Sequence, residues 1–425
     1  MRLQPLSRIL FVLVTIVGLA GSAEPPRVVA VRAGHLFDPK AGALLANEVV
    51  LISGDRITEV GPADRVSIPA GAQVIDLSRA TVLPGLIDQH LHVMEGGQRN
   101  PPLPVHALPE SQAVLDAYID RVLLAEVDAQ KDLNAGFTTV NDMGSHGGSF
   151  GTVALRDAIN KGLIRGPRML VAGPTLSEMN PKVDTPEAAR AAVRELAQHR
   201  VDWVKVISTG SFTLKPDGTM ENKPANPATL EVTKAVVDEA HKLGLKVACH
   251  AYGGEGLRNC IEAGVDAPQH GVALEDADVR LLLEKHLPLS STLFDLRLFD
   301  KQEMEKFGNS RFRMMEKSWK KAFAAGVKQG FSSGSQADYT GFPHGIQGEM
   351  FAYFVKWGMT PAQALRMATT TNAEIMGWQD RVGAVEKGKF ADLIAVAGNP
   401  LQDITEMQRV KFVMKGGEVV RNDWK

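Results

Sequence analysis

Cysteine is nearly absent: the 425 residues contain 2, Cys249 and Cys260. That scarcity excludes a disulfide scaffold and a thiolate zinc cluster. Cys249, next to His250, reads as a small buried apolar residue. An excess of either charge is also missing. With Lys+Arg 47 against Asp+Glu 49, the net charge is −2, too little to attract a phosphate backbone, so no nucleic-acid partner is expected. There is no short-period repeat and no low-complexity tract. At 44% hydrophobic and 23% charged residues the chain is that of a folded protein. Its length can bury a core without cross-links, as one large barrel with an appended domain or as two ordinary domains.

Long apolar runs are missing too, except at the start. Arg2 and Arg8 mark a basic opening, Ile9 to Ala20 is apolar, and Gly21-Ser22-Ala23 supplies small residues. The run falls well short of the ~20 residues of a spanning helix. It reads as a secretory signal peptide over residues 1–23, cleaved after Ala23. The mature chain is then expected in the periplasm or outside the cell, with no membrane contact after cleavage.

Short strand-like runs broken by turn residues follow: Arg27 to Arg32, Glu48 to Ile52, Ile57 to Val60 and Val74 to Leu77, with Gly54-Asp55 as a hairpin signal. Ala391 to Val396 and Val410 to Met414 repeat the style at the far end. Between these ends, strands alternate with helices. Val201 to Ile207 precedes a helix near Thr229 to Leu243, then come a strand at Leu245 to His250, a helix from Gly254 to Ala263, and a strand at Ala267 to His270. That is the rhythm of a parallel sheet covered by helices. Thr360-Pro361-Ala362-Gln363 predicts a capped helix start, and Gly377 its end. Met94 to Leu108 and Ser211 to Pro227 read as lids over a site, and Asp295 to Lys321 as an extra helix with a solvated face.

Chemistry-bearing residues fall at strand ends. In Pro84-Gly85-Leu86-Ile87-Asp88-Gln89-His90-Leu91-His92, two imidazoles at i and i+2 on a strand share a face and can hold one metal ion. In Asp202-Trp203-Val204-Lys205-Val206-Ile207, a lysine interrupts an apolar strand; Trp203, Lys205 and Ile207 face the interior of a barrel. Burial favours its free amine, which can take up CO₂ and become a carbamate bridging two metals; alone, it could equally reach solvent or pair with an acid. His250 and His270 end the next two strands, each by itself also compatible with a hydrogen-bonded structural role. Five such residues at the C-terminal ends of strands match where a (β/α)₈ TIM barrel builds its active site.

With these motifs the chain resembles the amidohydrolase superfamily, in particular a prolidase-like branch of Xaa-Pro dipeptidases and ochratoxin-type amidases. The resemblance runs from about Val28 to Arg421. It rests also on Gly136-Phe137-Thr138-Thr139-Val140, Leu155-Arg156-Asp157-Ala158-Ile159, Gly358-Met359-Thr360-Pro361 and Gly388-Lys389-Phe390-Ala391-Asp392-Leu393. It implies a metal-dependent barrel (85–384) and a β-sandwich built from both chain ends (24–84 and 385–425). It further implies two divalent metal ions, zinc by preference, with His90 and His92 on the inner one, His250 and His270 on the outer, and N-carboxylated Lys205 between them. Tyr252 would polarise the scissile carbonyl, with His146 as a second candidate, and His344 would contact substrate. The family's general base is an Asp ending the eighth strand, yet this chain reads Ser333-Gly334-Ser335-Gln336-Ala337-Asp338. Gln336 occupies the Asp position, and a neutral amide cannot accept the water's proton. Asp338 is the fallback base, ~6–7 Å further along an extended strand. Asn141, where relatives often carry Arg, is a smaller departure.

The reading is therefore an exported binuclear amidohydrolase, expected as a homo-oligomer, that cleaves an amide in a small dipeptide or N-acyl amino acid. Two alternatives stand beside it. One is a metal-binding barrel with impaired catalysis that serves as a binding protein, which Gln336 favours. The other is an imidazolonepropionase-like ring hydrolase or deaminase, which Lys205 disfavours.

Overall fold

The structure is a computed structural model. It describes residues 27–94, 112–144, 149–178, 182–217, 219–224, 229–293, 297, 299–336 and 343–424. The expected signal peptide, most of Met94 to Leu108, His146 and Asp338 lie outside the described residues.

Both chain ends build one seven-stranded mixed sheet. Its N-terminal strands are β1 (Val28–Asp38), β2 (Ala43–Ser53), β3 (Arg56–Pro62) and β4 (Gln73–Pro84); its C-terminal strands are β13 (Leu393–Val396), β14 (Phe412–Lys415) and β15 (Glu418–Asn422). The order is β15-β14-β13-β4-β1-β2-β3, so β13 joins the two halves by pairing with β4. Ser53 pairs with Arg56 across the two-residue Gly54-Asp55 turn, as that dipeptide predicts. Val31, Ile52, Val82, Leu393 and Phe412 bury one face as a core of its own.

Parallel strands between the two ends have the helices packed outside them. β5 (Leu86–Leu91), β6 (Phe137–Asp142) and β7 (Arg168–Val171) form one parallel group; β8 (Trp203–Ile207), β11 (Lys246–Gly253) and β12 (Ala267–Ala273) form another. Asp202 N–H donates to the Val171 carbonyl at 2.8 Å, joining β7 to the start of β8. Parallel bridges Gln269–Ser290, Leu289–Gln329 and Thr292–Ser332 carry the pairing on from β12. It returns to β5 through Gln89 N–H to Phe331 O (2.9 Å), Gly334 N–H to His90 O (2.7 Å) and His92 N–H to Ser335 O (2.9 Å). The pairing thus leads round to its start, a TIM-barrel-like α/β fold. Val140, Val204, Val206, Val247 and Ala251 face the surrounding helices, where they join the largest hydrophobic core.

Local signals explain the helix limits. Thr360 forms a capping box with Gln363, Pro361 begins the helix, and Gly377 at φ 73° closes it; a π-helical stretch at Met367–Thr371 interrupts it. Thr229 caps Leu230–Lys242. Two predictions gain detail. Ser211 to Pro227 is not all loop, because β9 (Thr209–Leu214) pairs antiparallel with β10 (Met220–Pro224). Among its described residues the Asp295 to Lys321 stretch includes the helices Asp300–Phe307 and Arg311–Ala324, split where Gly308 takes φ 68° and Ser310 caps the second. Among the described residues no helix is long and apolar enough to cross a membrane.

The cysteines require a correction. Cys249 on β11 and Cys260 on the helix Gly254–Ala263 are joined in a disulfide, with Cα atoms 6.3 Å apart, a normal span for such a bond. Read singly, Cys249 looked like a small apolar residue. A strand followed directly by its covering helix brings residues eleven apart face to face, and that proximity is invisible in a cysteine count.

The two parts of the molecule meet where the chain enters β5. Gly85 N–H donates to Asp392 O at 2.8 Å. A Cβ at Gly85 would collide with the side chain of Thr138, which accounts for the glycine. Nearby, Arg168 pairs with Asp392 (2.9 Å) while its guanidinium lies 3.4 Å over the Phe390 ring, a contact that needs the planar cation of arginine.

Candidate active site

The C-terminal ends of the parallel strands gather the imidazoles. His90 and His92 Nε2 atoms approach to 3.0 Å, so the i, i+2 spacing on β5 does converge. The rings of His90 and His270 are 5.1 Å apart, those of His250 and His270 4.2 Å, and Tyr252 lies 4.6 Å from His250 and 5.3 Å from His270. His90, His92, His250, His270 and Tyr252 therefore stand together, as expected from strand order. A register shift in β5 between Asp88 and Leu91 helps aim the imidazoles inward. His270 takes φ 71°, followed by Gly271 at φ 61°; a left-handed histidine is strained, and the strain is stored at the rim where the ring must face the others.

Lys205 lies close to these rings with 1% exposure. Its Nζ donates to Gln269 Oε1, and among the described residues no carboxylate forms an ion pair with it. Burial holds its amine well below the usual lysine range, against a small opposing pull from Asp142. The same burial holds His90 and His270 well below the usual histidine range. Burial thus disfavours the charged form of each, and an uncharged imidazole or amine acts as a ligand or nucleophile.

Among the described residues no three His, Cys, Asp or Glu side chains form a ready metal cage. The donor set nevertheless fits a divalent metal. His92 Nδ1 is held by Gly144 O at 2.7 Å and His270 Nδ1 by Thr292 Oγ1 at 2.7 Å, outer contacts of the kind that orient a metal-ligating imidazole. His270 Nε2 is buried without a hydrogen-bond partner. Two nitrogens bound tetrahedrally to one zinc at ~2.0–2.1 Å would sit about 3.3 Å apart, close to the observed 3.0 Å between His90 and His92.

Carboxylates frame the site from behind. Asp88 Oδ1 accepts from the backbone N–H groups of His90 and Ser333, both at 3.1 Å, tying β5 to the last parallel segment; burial raises its pKa to about 7. Asp142 accepts from Val93 N–H at 2.9 Å and Gly144 N–H at 3.2 Å, and burial raises it to about 6. Gln336 is half-buried, one residue past the Ser335 carbonyl that accepts from His92, and it pairs with Pro343.

His344, expected to contact substrate, lies buried. Its side chain has 0% exposure, with Nδ1 2.8 Å from Asp132 Oδ2 and Nε2 3.3 Å from the His92 carbonyl. Both nitrogens are engaged by protein, so the ring faces the frame of the site. The nearby carboxylate of Asp132 raises His344 to about 9 even though burial opposes it.

Sequence reasoning missed three participants. Gln269 adjoins His270 and could have been flagged by position. Asp142 ends β6 in the same way the histidines end theirs. Asp132 lies within the helix Gln112–Asn134, where an acid reads as solvated, and nothing local marks it.

Comparison with known proteins follows the same lines. The profile of the amidohydrolase family matches residues 81–420. An ochratoxinase of Aspergillus niger is 26% identical, with 94% of this chain and 88% of that protein covered. An imidazolonepropionase of Cutibacterium acnes is also 26% identical, covering 85% and 87%. Among solved structures, a Xaa-Pro dipeptidase with bound methionine in its active site superposes with a TM-score of 0.79 at 29% identity, covering 93% of this chain and all of that one.

Proposed function

The chain belongs to the amidohydrolase family, and from that premise we propose an exported, metal-dependent hydrolase that cleaves the amide of a small dipeptide or N-acyl amino acid. Hydrolysis of a C–N bond is common ground for the family and these relatives. The dipeptidase and the ochratoxinase support the substrate class. The parallel strands are taken as the closed (β/α)₈ barrel of such enzymes, and the terminal sheet as the β-sandwich at its side.

The observation that carries the proposal is Lys205, a buried amine with no carboxylate partner among the described residues, bonded to the residue before His270 and close to the converging imidazoles. Its lone pair can attack CO₂: an N–C bond forms, a C=O electron pair moves to oxygen, and the nitrogen loses one proton, giving a carbamate anion. Gln269 is built for both forms. Its Oε1 accepts from Nζ, and its buried Nε2, without a partner, can donate to a carbamate oxygen. His90, His92, His250, His270 and the carbamate would then hold two divalent ions, zinc by preference, which supply Lewis acidity toward water and the amide carbonyl. Tyr252, whose ring lies beside His250 and His270, would donate a hydrogen bond to that carbonyl as charge develops on it. Gln336 at the rim would orient the water without taking its proton.

Export accords with the signal-like start and with the Cys249–Cys260 disulfide, a bond favoured in oxidising compartments. Gln336 favours a second reading, a barrel that binds metal and small molecules with impaired turnover. Assay of the purified protein on Xaa-Pro dipeptides and N-acyl amino acids, before and after chelation, tests the proposal. Turnover abolished by chelation and restored by zinc supports it; absence of turnover across the panel with metal bound supports the second reading.

A further inference from the structure

The most elaborate buried polar assembly outside the ring of imidazoles joins Asp132, His344 and Gln347. All three side chains are buried, and they come from two distant parts of the chain. Asp132 Oδ2 accepts from His344 Nδ1 at 2.8 Å. Asp132 Oδ1 accepts from Gln347 Nε2 and from Gly345 N–H at 3.2 Å, while Gln347 Oε1 also accepts from Gly345 N–H at 2.9 Å. The remaining nitrogen of His344 points at the His92 carbonyl, 3.3 Å away.

Burying an acid, an imidazole and an amide together is a poor route to stability, because desolvation consumes most of the Coulombic gain and an apolar trio of the same volume does as well. Such an assembly is better explained by what it holds. His344 reaches the backbone of His92, whose own ring is pinned by Gly144 O and whose N–H donates to Ser335 O. Pro343, just before His344, pairs with Gln336. One clamp therefore holds the carbonyl of His92 and adjoins the Gln336–Pro343 pairing.

We propose that His344 is a positioning residue, locked by Asp132, that sets the backbone of His92 and with it the aim of the His90–His92 pair. This deepens the functional reading above and rests on metal binding by those histidines. Outer partners of this kind are typically worth 10–100-fold in metal affinity or activity.

The two ring nitrogens can be separated by substitution. The amide of asparagine imitates Nδ1 and keeps the bond to Asp132; that of glutamine imitates Nε2 and keeps the reach to His92 O. The full-length protein, loaded with zinc, is titrated with a chelator, and kcat, KM and thermal unfolding of the metal-free form are measured for wild type, His344→Asn and His344→Gln. His344→Asn is expected to unfold near the wild-type temperature, yet to lose zinc 10-fold or more readily and to lose kcat with KM little changed. His344→Gln should recover much of the zinc affinity. Asp132→Asn, isosteric with the acid, is the further variant should either histidine replacement fail to fold, and it should also weaken zinc. Wild-type protein that binds no zinc overturns the functional reading itself. Wild-type zinc affinity in His344→Asn or Asp132→Asn, with only a lowered unfolding temperature, overturns the inference and leaves that reading intact.

Discussion

Replacing Gln336 with Asp should repair this site. Position 336 is fixed by its neighbours: Ser335 O accepts from His92 at 2.9 Å, Gly334 N–H donates to His90 O at 2.7 Å, and Gln336 itself pairs with Pro343. A carboxylate placed there stands at the end of the segment beside the two histidines, the position the proposed reading gives to the general base. General-base catalysis contributes roughly 10²–10⁴-fold, which is about 3–5 kcal/mol of barrier. Gln336→Asp should therefore raise kcat on a good amide substrate by one to several orders of magnitude and tighten zinc, since a charged oxygen replaces a neutral one. Asp338 is two residues further on in the sequence, a step that in an extended strand would span ~6–7 Å; with the base position given to 336, Asp338→Asn should change kcat little. Steady-state kinetics of both variants on one substrate decide the matter. Loss of activity in Asp338→Asn, with no gain in Gln336→Asp, would refute the reasoning and make Asp338 the base.

Other predictions follow from the same contacts. The Cys249–Cys260 bond closes a loop of about 12 residues, which in the chain-entropy account stabilises the fold by ~3 kcal/mol; the Cys249→Ala/Cys260→Ala double variant should lower the urea midpoint accordingly, and a change below ~1 kcal/mol contradicts it. Lys205→Ala should lose most bound zinc and all turnover, with short carboxylic acids restoring part of both; Lys205→Arg should do no better, because its guanidinium stays charged. Lys415 is lowered to about 8 by burial and by Arg168. The unfolded chain then binds more protons between that value and the ordinary lysine range, so stability should rise with pH from about 8 to about 10.4, and Lys415→Met should flatten that rise in urea titrations. N-terminal sequencing of native protein should begin at Glu24, and a retained Met1 contradicts export.

Much of this was legible because strand ends and turn chemistry are local. The Gly54-Asp55 hairpin, the Thr360 capping box and the i, i+2 histidines each depend on a few adjacent residues, and each stands where those residues place it. What was not legible depends on contacts between distant parts of the chain. In the helix that carries Asp132 no neighbouring residue marks that acid, and only the return of the chain at His344 turns it into a buried clamp. The histidine was noticed, but its motif says nothing of which way the ring turns. The disulfide was missed for a related reason, since a strand and its covering helix must be packed before Cys249 meets Cys260.

The central claim is that Lys205 becomes a carbamate between two metals. Protein loaded with zinc in ¹³C-bicarbonate should show one protein-bound carbamate carbon by NMR and two zinc ions per chain. The carbamate signal should vanish, and most of the zinc with it, in Lys205→Ala. A wild-type protein that holds two zinc ions without any carbamate signal, or a Lys205→Ala variant that still holds both, would contradict the account.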